Sequence, residues 1–396
     1  MKSWTASTTL RAGPLALLMR LLAYGATALC LAAWSQVLSP AIELQDSDLV
    51  VHEWGTFTSI AGNDGKAVEW LPFKGPSDLP SFVEHLWDAA FKVGLRGTIR
   101  METPVVYFHS SHPMRVSAKA VFARGVITEW YPHASRVFPN AGLFGRALYQ
   151  RETDGSIAWN QVTVQPDAEE SLLREAADNP YYAARETSAA PLIVNSAAGE
   201  QREKFLFYRG VSAASLPISA TLTPQGTLVV RNLSENEIPH IVLFERRGEK
   251  VGYRIGGALE SESIFDPPEL NRTLDALCGD LEDTLAAQGL YRDEAHAMVE
   301  TWRSSWFEEG SRLLYVVPAA MLNSLLPLTI HPIPLETVRV FVGRIELVTG
   351  ATRRAVESAL ASHDEVMLAK YGRFLNPILE ELIESDPTKA NRLRKY

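Results

Sequence analysis

From Leu49 to about Gly257 apolar residues recur mainly at every second position, with turn residues between the runs, and this alternation limits the fold more than any other feature. The clearest run is Met114, Val116, Ala118, Ala120 and Phe122, interleaved with Arg115, Ser117 and Lys119. Further strands are expected at 50–60, 99–109, 126–131, 157–164, 204–209, 228–232, 238–246 and 251–255. Asn63-Asp64-Gly65 and Pro224-Gln225-Gly226 supply turns between runs. So many strands without regularly alternating helices favour a sandwich over a parallel α/β sheet. Two helical insertions are expected within this part, at 81–93 and 167–184.

After Ile264 the period changes to that of a helix. Asp266 suits a cap, Pro267 the first helical position, and Glu269 the third position of a capping box. Leu270, Leu274, Leu277, Leu281 and Leu285 form one apolar face, and Gly289 ends the helix. A second helix from Asp293 places Val299, Trp302 and Trp306 on one side. Strands return at 313–317, 327–331 and 338–347, and the chain ends in helix from about Thr352, broken at Gly372 and restarted at Asn376-Pro377. The expected fold class is α+β. An antiparallel β-sandwich-like N-terminal part, 49–258, is followed by a mixed helix and sheet C-terminal part, 259–396, packed on it.

Residues 1–41 read as a signal peptide or membrane anchor. Between Met1 and Ile42 the only charges are Lys2, Arg11 and Arg20, and Leu21 to Trp34 is uncharged and mostly apolar. The uncharged stretch approaches the ~20 residues that span a bilayer, so a retained anchor is the alternative to cleavage. In either case the body is expected outside the cytoplasm, in the periplasm, at the cell surface or secreted, touching membrane only through this segment. Without Met1–Ile42 the loss of three positive charges takes the formal charge from −9 to −12, which argues against nucleic acid as a partner. Of the two cysteines, Cys30 and Cys278, only Cys278 belongs to the body, so no internal disulfide staples it.

Several blocks are specific as strings: Val51-His52-Glu53-Trp54-Gly55-Thr56-Phe57-Thr58-Ser59, Arg100-Met101-Glu102-Thr103-Pro104-Val105-Val106-Tyr107-Phe108, and Thr301-Trp302-Arg303-Ser304-Ser305-Trp306-Phe307-Glu308-Glu309-Gly310. With Ile127-Thr128-Glu129-Trp130-Tyr131-Pro132 and Tyr371-Gly372-Arg373-Phe374-Leu375 they resemble an uncharacterised group of exported bacterial proteins. The resemblance implies one shared architecture and brings no activity or functional residue with it.

Candidate chemistry centres on carboxylates inside apolar strands: Glu53 beside Trp54, Glu102 within Met101 to Phe108, and Glu129 beside Trp130. A buried carboxylate needs a hydrogen-bonded or cationic partner, or its pKa rises until it neutralises. Arg100 is the nearest cation. Two such groups in a cleft lined by Trp54, Trp130 and Tyr131 would suit acid and base work, as on carbohydrate, provided they face one another within ~10 Å. The structural alternative is that strand alternation turns each glutamate to the face opposite its aromatic neighbour, where it pairs with an arginine in solvent. His52-Glu53 lacks the second histidine of a zinc-protease helix, because position 56 is Thr. His109 and His112 could chelate a metal from a strand end, but such loop pairs are usually solvated, so no metal and no cofactor are expected. Trp302 and Trp306 at helical spacing read as core. The leading expectation is a non-catalytic extracytoplasmic binding or structural protein with an unknown ligand or envelope partner, and the alternative is a carboxylate-dependent hydrolase.

Overall fold

A computed structural model describes residues 48–73, 78–86, 95–139, 153–168, 171–197, 199–389 and 393. The expected export segment lies outside these residues. In chain order the first strands are β1 (Val50–Ile60), β2 (Glu84–His85), β3 (Ile99–His109), β4 (Met114–Phe122), β5 (Gly125–Tyr131), β6 (Arg136–Phe138) and β7 (Gly155–Val164). A 3-10 turn (Pro180–Arg185) precedes β8 (Leu192–Ser196), β9 (Gly199–Glu203), β10 (Leu206–Ser212), β11 (Ile218–Leu222) and β12 (Leu228–Asn232). The hairpin of β13 (Ile238–Arg247) and β14 (Lys250–Leu259) is followed by β15 (Glu262–Phe265). Helices α1 (Leu274–Ala287) and α2 (Arg292–Trp306) then lead into β16 (Gly310–Val316), α3 (Ala319–Leu325), β17 (Leu328–His331) and β18 (Glu336–Leu347). The chain closes with α4 (Gly350–Ser362), α5 (Glu365–Ala369) and α6 (Leu375–Ser385). The class is therefore α+β, rich in sheet towards the N-terminus with its helices in the C-terminal part.

Among the described residues, a nine-stranded sheet in the order β14-β13-β16-β18-β1-β3-β10-β5-β2 runs through the molecule. Its neighbours pair antiparallel except β1 and β18, which are parallel. A six-stranded sheet (β17-β4-β7-β8-β9, with β6 on β7) and a three-stranded sheet (β11-β12-β15) accompany it. Phe57 and Phe341 of the large sheet, Phe122 and Trp159 of the second and Leu228 of the third share one apolar core. On the opposite face of the large sheet, Trp54, Tyr107 and Phe207 pack against Leu281 of α1 and Trp302 and Trp306 of α2. Covering on both sides is why β1 is buried from Val51 to Ile60, polar residues included.

The expected break near residue 258 does not separate two sheets: β13 and β14 before it share the large sheet with β16 and β18 after it. Residues 48–396 accordingly fall in one compact unit. The strand expectations at 50–60, 99–109, 126–131 and 228–232 lie within one residue of β1, β3, β5 and β12.

The helix expectations within the N-terminal part differ from the structure. Ser81 to Leu86 holds turns and the short β2, and residues 87–93 lie outside the described ones. In 167–184 the described residues before Pro180 are not helical, and Leu173 is 55% exposed, so no apolar stripe is buried to stabilise a helix there. Asp266 and Glu269 do not start α1 either. The Arg272 amide donates to the Val251 carbonyl, which keeps the chain bridged to β14 until Thr273, and the helix begins at Leu274.

Candidate functional site

Strand alternation places Glu53 and Trp54 on opposite faces of the large sheet, as it does Glu129 and Trp130. Both faces are covered, so the glutamates are sealed rather than solvated: Glu53, Glu102 and Glu129 are 0%, 0% and 1% exposed. Glu53 points into the core between the sheets, where it accepts from the Tyr208 hydroxyl (2.5 Å) and Arg339 Nε (2.6 Å). Glu102 points the other way, under the helices. Arg373 grips it with two parallel bonds of 2.9 Å, and Arg100 Nε lies 3.6 Å away. Burial pushes the Glu102 pKa up, but the guanidiniums of Arg373, Arg100 and Arg209 outweigh it and hold the carboxyl below the usual range.

A bulge in β3 helps build this region. The register with β1 shifts between Trp54 and Thr56, and Thr103 sits there at φ +46°, a costly conformation for a β-branched residue. Thr103 Oγ1 accepts from Arg209 Nη2 (3.1 Å), and Arg209 Nη1 donates to Asp78 (2.8 Å). Glu129, the register partner of Arg209, accepts from the Thr128 hydroxyl. The charge continues across the sheet: Arg312 Nε meets Glu346 (3.0 Å), and Arg344 meets both Glu346 (3.2 Å) and Glu308 (2.8 Å). Arg312 also donates to the carbonyls of Trp306, Glu308 and Glu309. Arginine suits such a band because its planar fork satisfies several acceptors at once.

The other expected site residues are core components. Trp54 and Tyr131 are 0% exposed, and Trp130 donates through Nε1 to Glu84 (2.8 Å). Arg100 is closed by the Pro72 carbonyl (2.7 Å). The expected pair of His109 and His112 divides: His112 Nδ1 turns to Asp48 (3.5 Å) beside the Ser110 and Ser111 hydroxyls, which bond the same carboxylate.

His109 instead joins His52 and Glu294. His52 Nδ1 lies 2.6 Å from one Glu294 oxygen, and His109 Nε2 lies 2.9 Å from the other. The three ligand-type atoms fall within 4.8 Å of one another. Glu294 occupies the first turn of α2, where it also accepts from the amide of the N-cap residue Tyr291 (2.9 Å). The Tyr291 ring packs on both imidazoles, at centroid distances of 4.4 and 4.9 Å. Burial raises the Glu294 pKa, and the bonds from His109 and His52 more than offset this and lower it. His109, with a 15% exposed side chain, opens onto a cleft of about 260 Å³ lined also by Ser110, Ser188, Pro191 and Lys204. A larger cleft of about 580 Å³ shares Lys204 and is bordered by Arg174, Tyr182 and Arg185. The sequence weighs His52 only against a zinc-protease motif and does not single out Glu294; the two stand 242 residues apart and share no local pattern.

No family model and no curated protein matches the sequence. Among solved structures the chain is similar to the yeast delta-COP-I mu-homology domain complexed with a Dsl1 WxWxV peptide, at 8% identity and a TM-score of 0.26, covering 76% of this chain and 96% of that one. The yeast delta-COP-I mu-homology domain without the peptide matches with 10% identity, the same coverage and the same TM-score. Likeness at this level carries no argument about fold or function.

Proposed function

We propose that this chain is a non-catalytic binding protein that works outside the cytoplasm. The observation carrying this reading is the closure of the glutamates. Glu53 lies on one face of the sheet, Glu102 and Glu129 on the other, and each is buried among hydrogen-bond donors. An acid and base pair needs access to a substrate and a proton that can leave. Only about 80 Å³ opens beside this band, at Asp78, Thr103 and Arg209, and wider clefts lie elsewhere, among them the adjoining pair bordered by Arg174, Tyr182, Arg185, Lys204 and His109. Arg185 there is oriented by Glu203 (2.6 Å) and packs over the Tyr182 ring at 4.9 Å. That arrangement gives a prepared cationic and aromatic surface to a ligand.

The alternative, a carboxylate-dependent hydrolase, draws what support it has from Glu102 and Glu129 sharing one face with Arg209 between them. Glu102→Gln separates the readings. A structural role predicts a fall in melting temperature, whereas a catalytic role predicts an unchanged or higher one, because active-site strain is relieved. Location has its own test: Met1–Gln45 fused to a reporter active only outside the cytoplasm should switch it on, and a stably made but silent fusion would sink that part.

A further inference from the structure

Of the glutamates buried to 2% exposure or less among the described residues, Glu53, Glu102, Glu203 and Glu346 each hold an arginine guanidinium at 2.6 to 3.0 Å, and Glu129 accepts from the Thr128 hydroxyl. Glu294 is buried as deeply, yet its ion partners are the imidazoles of His52 and His109. A neutral imidazole satisfies a hydrogen bond without compensating a charge. The place that a guanidinium fills at Glu53, Glu102, Glu203 and Glu346 is taken here by two side chains that also bind metal.

We propose that His52 Nδ1, His109 Nε2 and the Glu294 carboxylate bind one divalent transition-metal ion of the zinc type, with a fourth coordination position facing the cleft beside His109. The inference stands independently of the binding-protein reading, since a structural, transported or reactive ion would use the same ligands. The donor set selects the class of ion: two imidazoles and a carboxylate suit zinc and its neighbours, where calcium and magnesium ask for oxygen alone and copper(I) for sulfur.

The three ligand atoms already meet, at hydrogen-bonding rather than coordination spacing. Bond lengths of about 2.0–2.1 Å around a tetrahedral ion put its ligand atoms about 3.3 Å apart. The two N···O distances here, to different oxygens of the carboxylate, are 2.6 and 2.9 Å, and the three ligand atoms spread over up to 4.8 Å, so an ion displaces the ring protons, parts the nearer atoms by a few tenths of an ångström and draws the widest pair together by about 1.5 Å. The supporting shell is already in place. Tyr291 fixes both rings with its own ring and the carboxylate with its amide, and Asp293, next in the helix, accepts from the Ser188 amide (2.6 Å) and ties the cleft wall to the same turn. His52 and Glu294 seal the inner side, and the rim at His109 leaves the way in.

The full chain, stripped with a chelator, is titrated with Zn²⁺ by calorimetry and with Co²⁺ by visible absorption. The expected result is one ion per chain, a rise in melting temperature with Zn²⁺, and the intense visible bands of four-coordinate cobalt. His109→Ala should weaken Zn²⁺ binding by roughly 100-fold or more, because losing even an outer partner of a metal ligand costs about 10–100-fold. His112→Ala and His133→Ala, which alter exposed histidines, should bind as the parent does. If His52→Ala fails to fold, the rim variant His109→Ala and the cobalt spectrum of the parent still decide. A parent that takes up no Zn²⁺ in a 1:1 saturable manner, or a His109→Ala chain that binds like the parent, overturns the site.

Discussion

At the Thr58 end of the helix-covered sheet face, Glu102 meets Arg373 and Arg100, and Glu346 meets Arg312 and Arg344. At the other end of the same strands, some six residues and about 20 Å away along β1, Glu294 meets His52 and His109. Both ends are buried and polar, separated by the apolar stretch of Trp54, Tyr107 and Trp302. Guanidiniums stay charged at any ordinary pH and leave no coordination site, so the first end is a closed lock. Imidazoles can exchange a proton for a metal, and the second end borders a cleft. Burial alone therefore does not mark a functional group in this molecule; the kind of partner does.

The comparison is most exposed to failure at Arg312. It is 0% exposed and serves Glu346 together with three backbone carbonyls at the end of α2. Arg312→Met keeps much of the volume and orphans those acceptors, at a cost of about 3–5 kcal/mol. Chemical denaturation should show it. A loss within a few tenths of a kcal/mol would mean that the band is not what holds this end closed.

Glu102→Gln should cost less, about 1–3 kcal/mol, since the amide keeps the shape and one acceptor for Arg373. It also carries a pH signature. The Glu102 carboxyl is held below its ordinary value of 4.5, so its contribution is fully present above that value and is lost as pH falls further. The parent should lose stability below about pH 4.5 more steeply than Glu102→Gln. Parallel acid limbs for the two proteins would contradict the lock, whatever their stabilities at neutral pH.

Much of this was legible in the residues, and the unread part has a common cause. Period two marked β4 well, because one of its faces is buried and the other is not: Val116, Ala118, Ala120 and Phe122 are inside while Arg115 and Lys119 are out. Alternation turns Glu53 and Glu129 from their aromatic neighbours as expected, but under a second covering layer and not into solvent, and that layer comes from distant parts of the chain. Arg373 reaches Glu102 across 271 residues and Arg339 reaches Glu53 across 286. No local pattern announces such a meeting. In the sequence His52 stands only within His52-Glu53, while its partners are fixed by the pairing of β1 with β3 and the docking of α2. The strings around these residues were conspicuous, but strings do not say which strand lies next to which.

The smallest expected effect belongs to Cys278, a potential metal ligand that sits in the same helix layer yet apart from both ends. It is 4% exposed on the inner face of α1, packed in the core that holds Leu277 and Trp302, and Arg303 Nη1 lies 3.5 Å from its sulfur. Burial pushes the thiol pKa up, more than the nearby Arg303 lowers it, so at neutral pH the sulfur is protonated and a poor metal ligand. Arg303 has Asp275 and Glu300 besides, so it does not depend on the thiol. Cys278→Ala removes one buried atom, which costs on the order of 1 kcal/mol, and the better helix propensity of alanine returns part of it. Melting temperature should fall by a few degrees at most, and Zn²⁺ stoichiometry should stay at one per chain. If the stoichiometry fell instead, the ion would be using sulfur from the α1 layer. The division between a closed arginine lock and a confined histidine site would then have to be redrawn around Cys278.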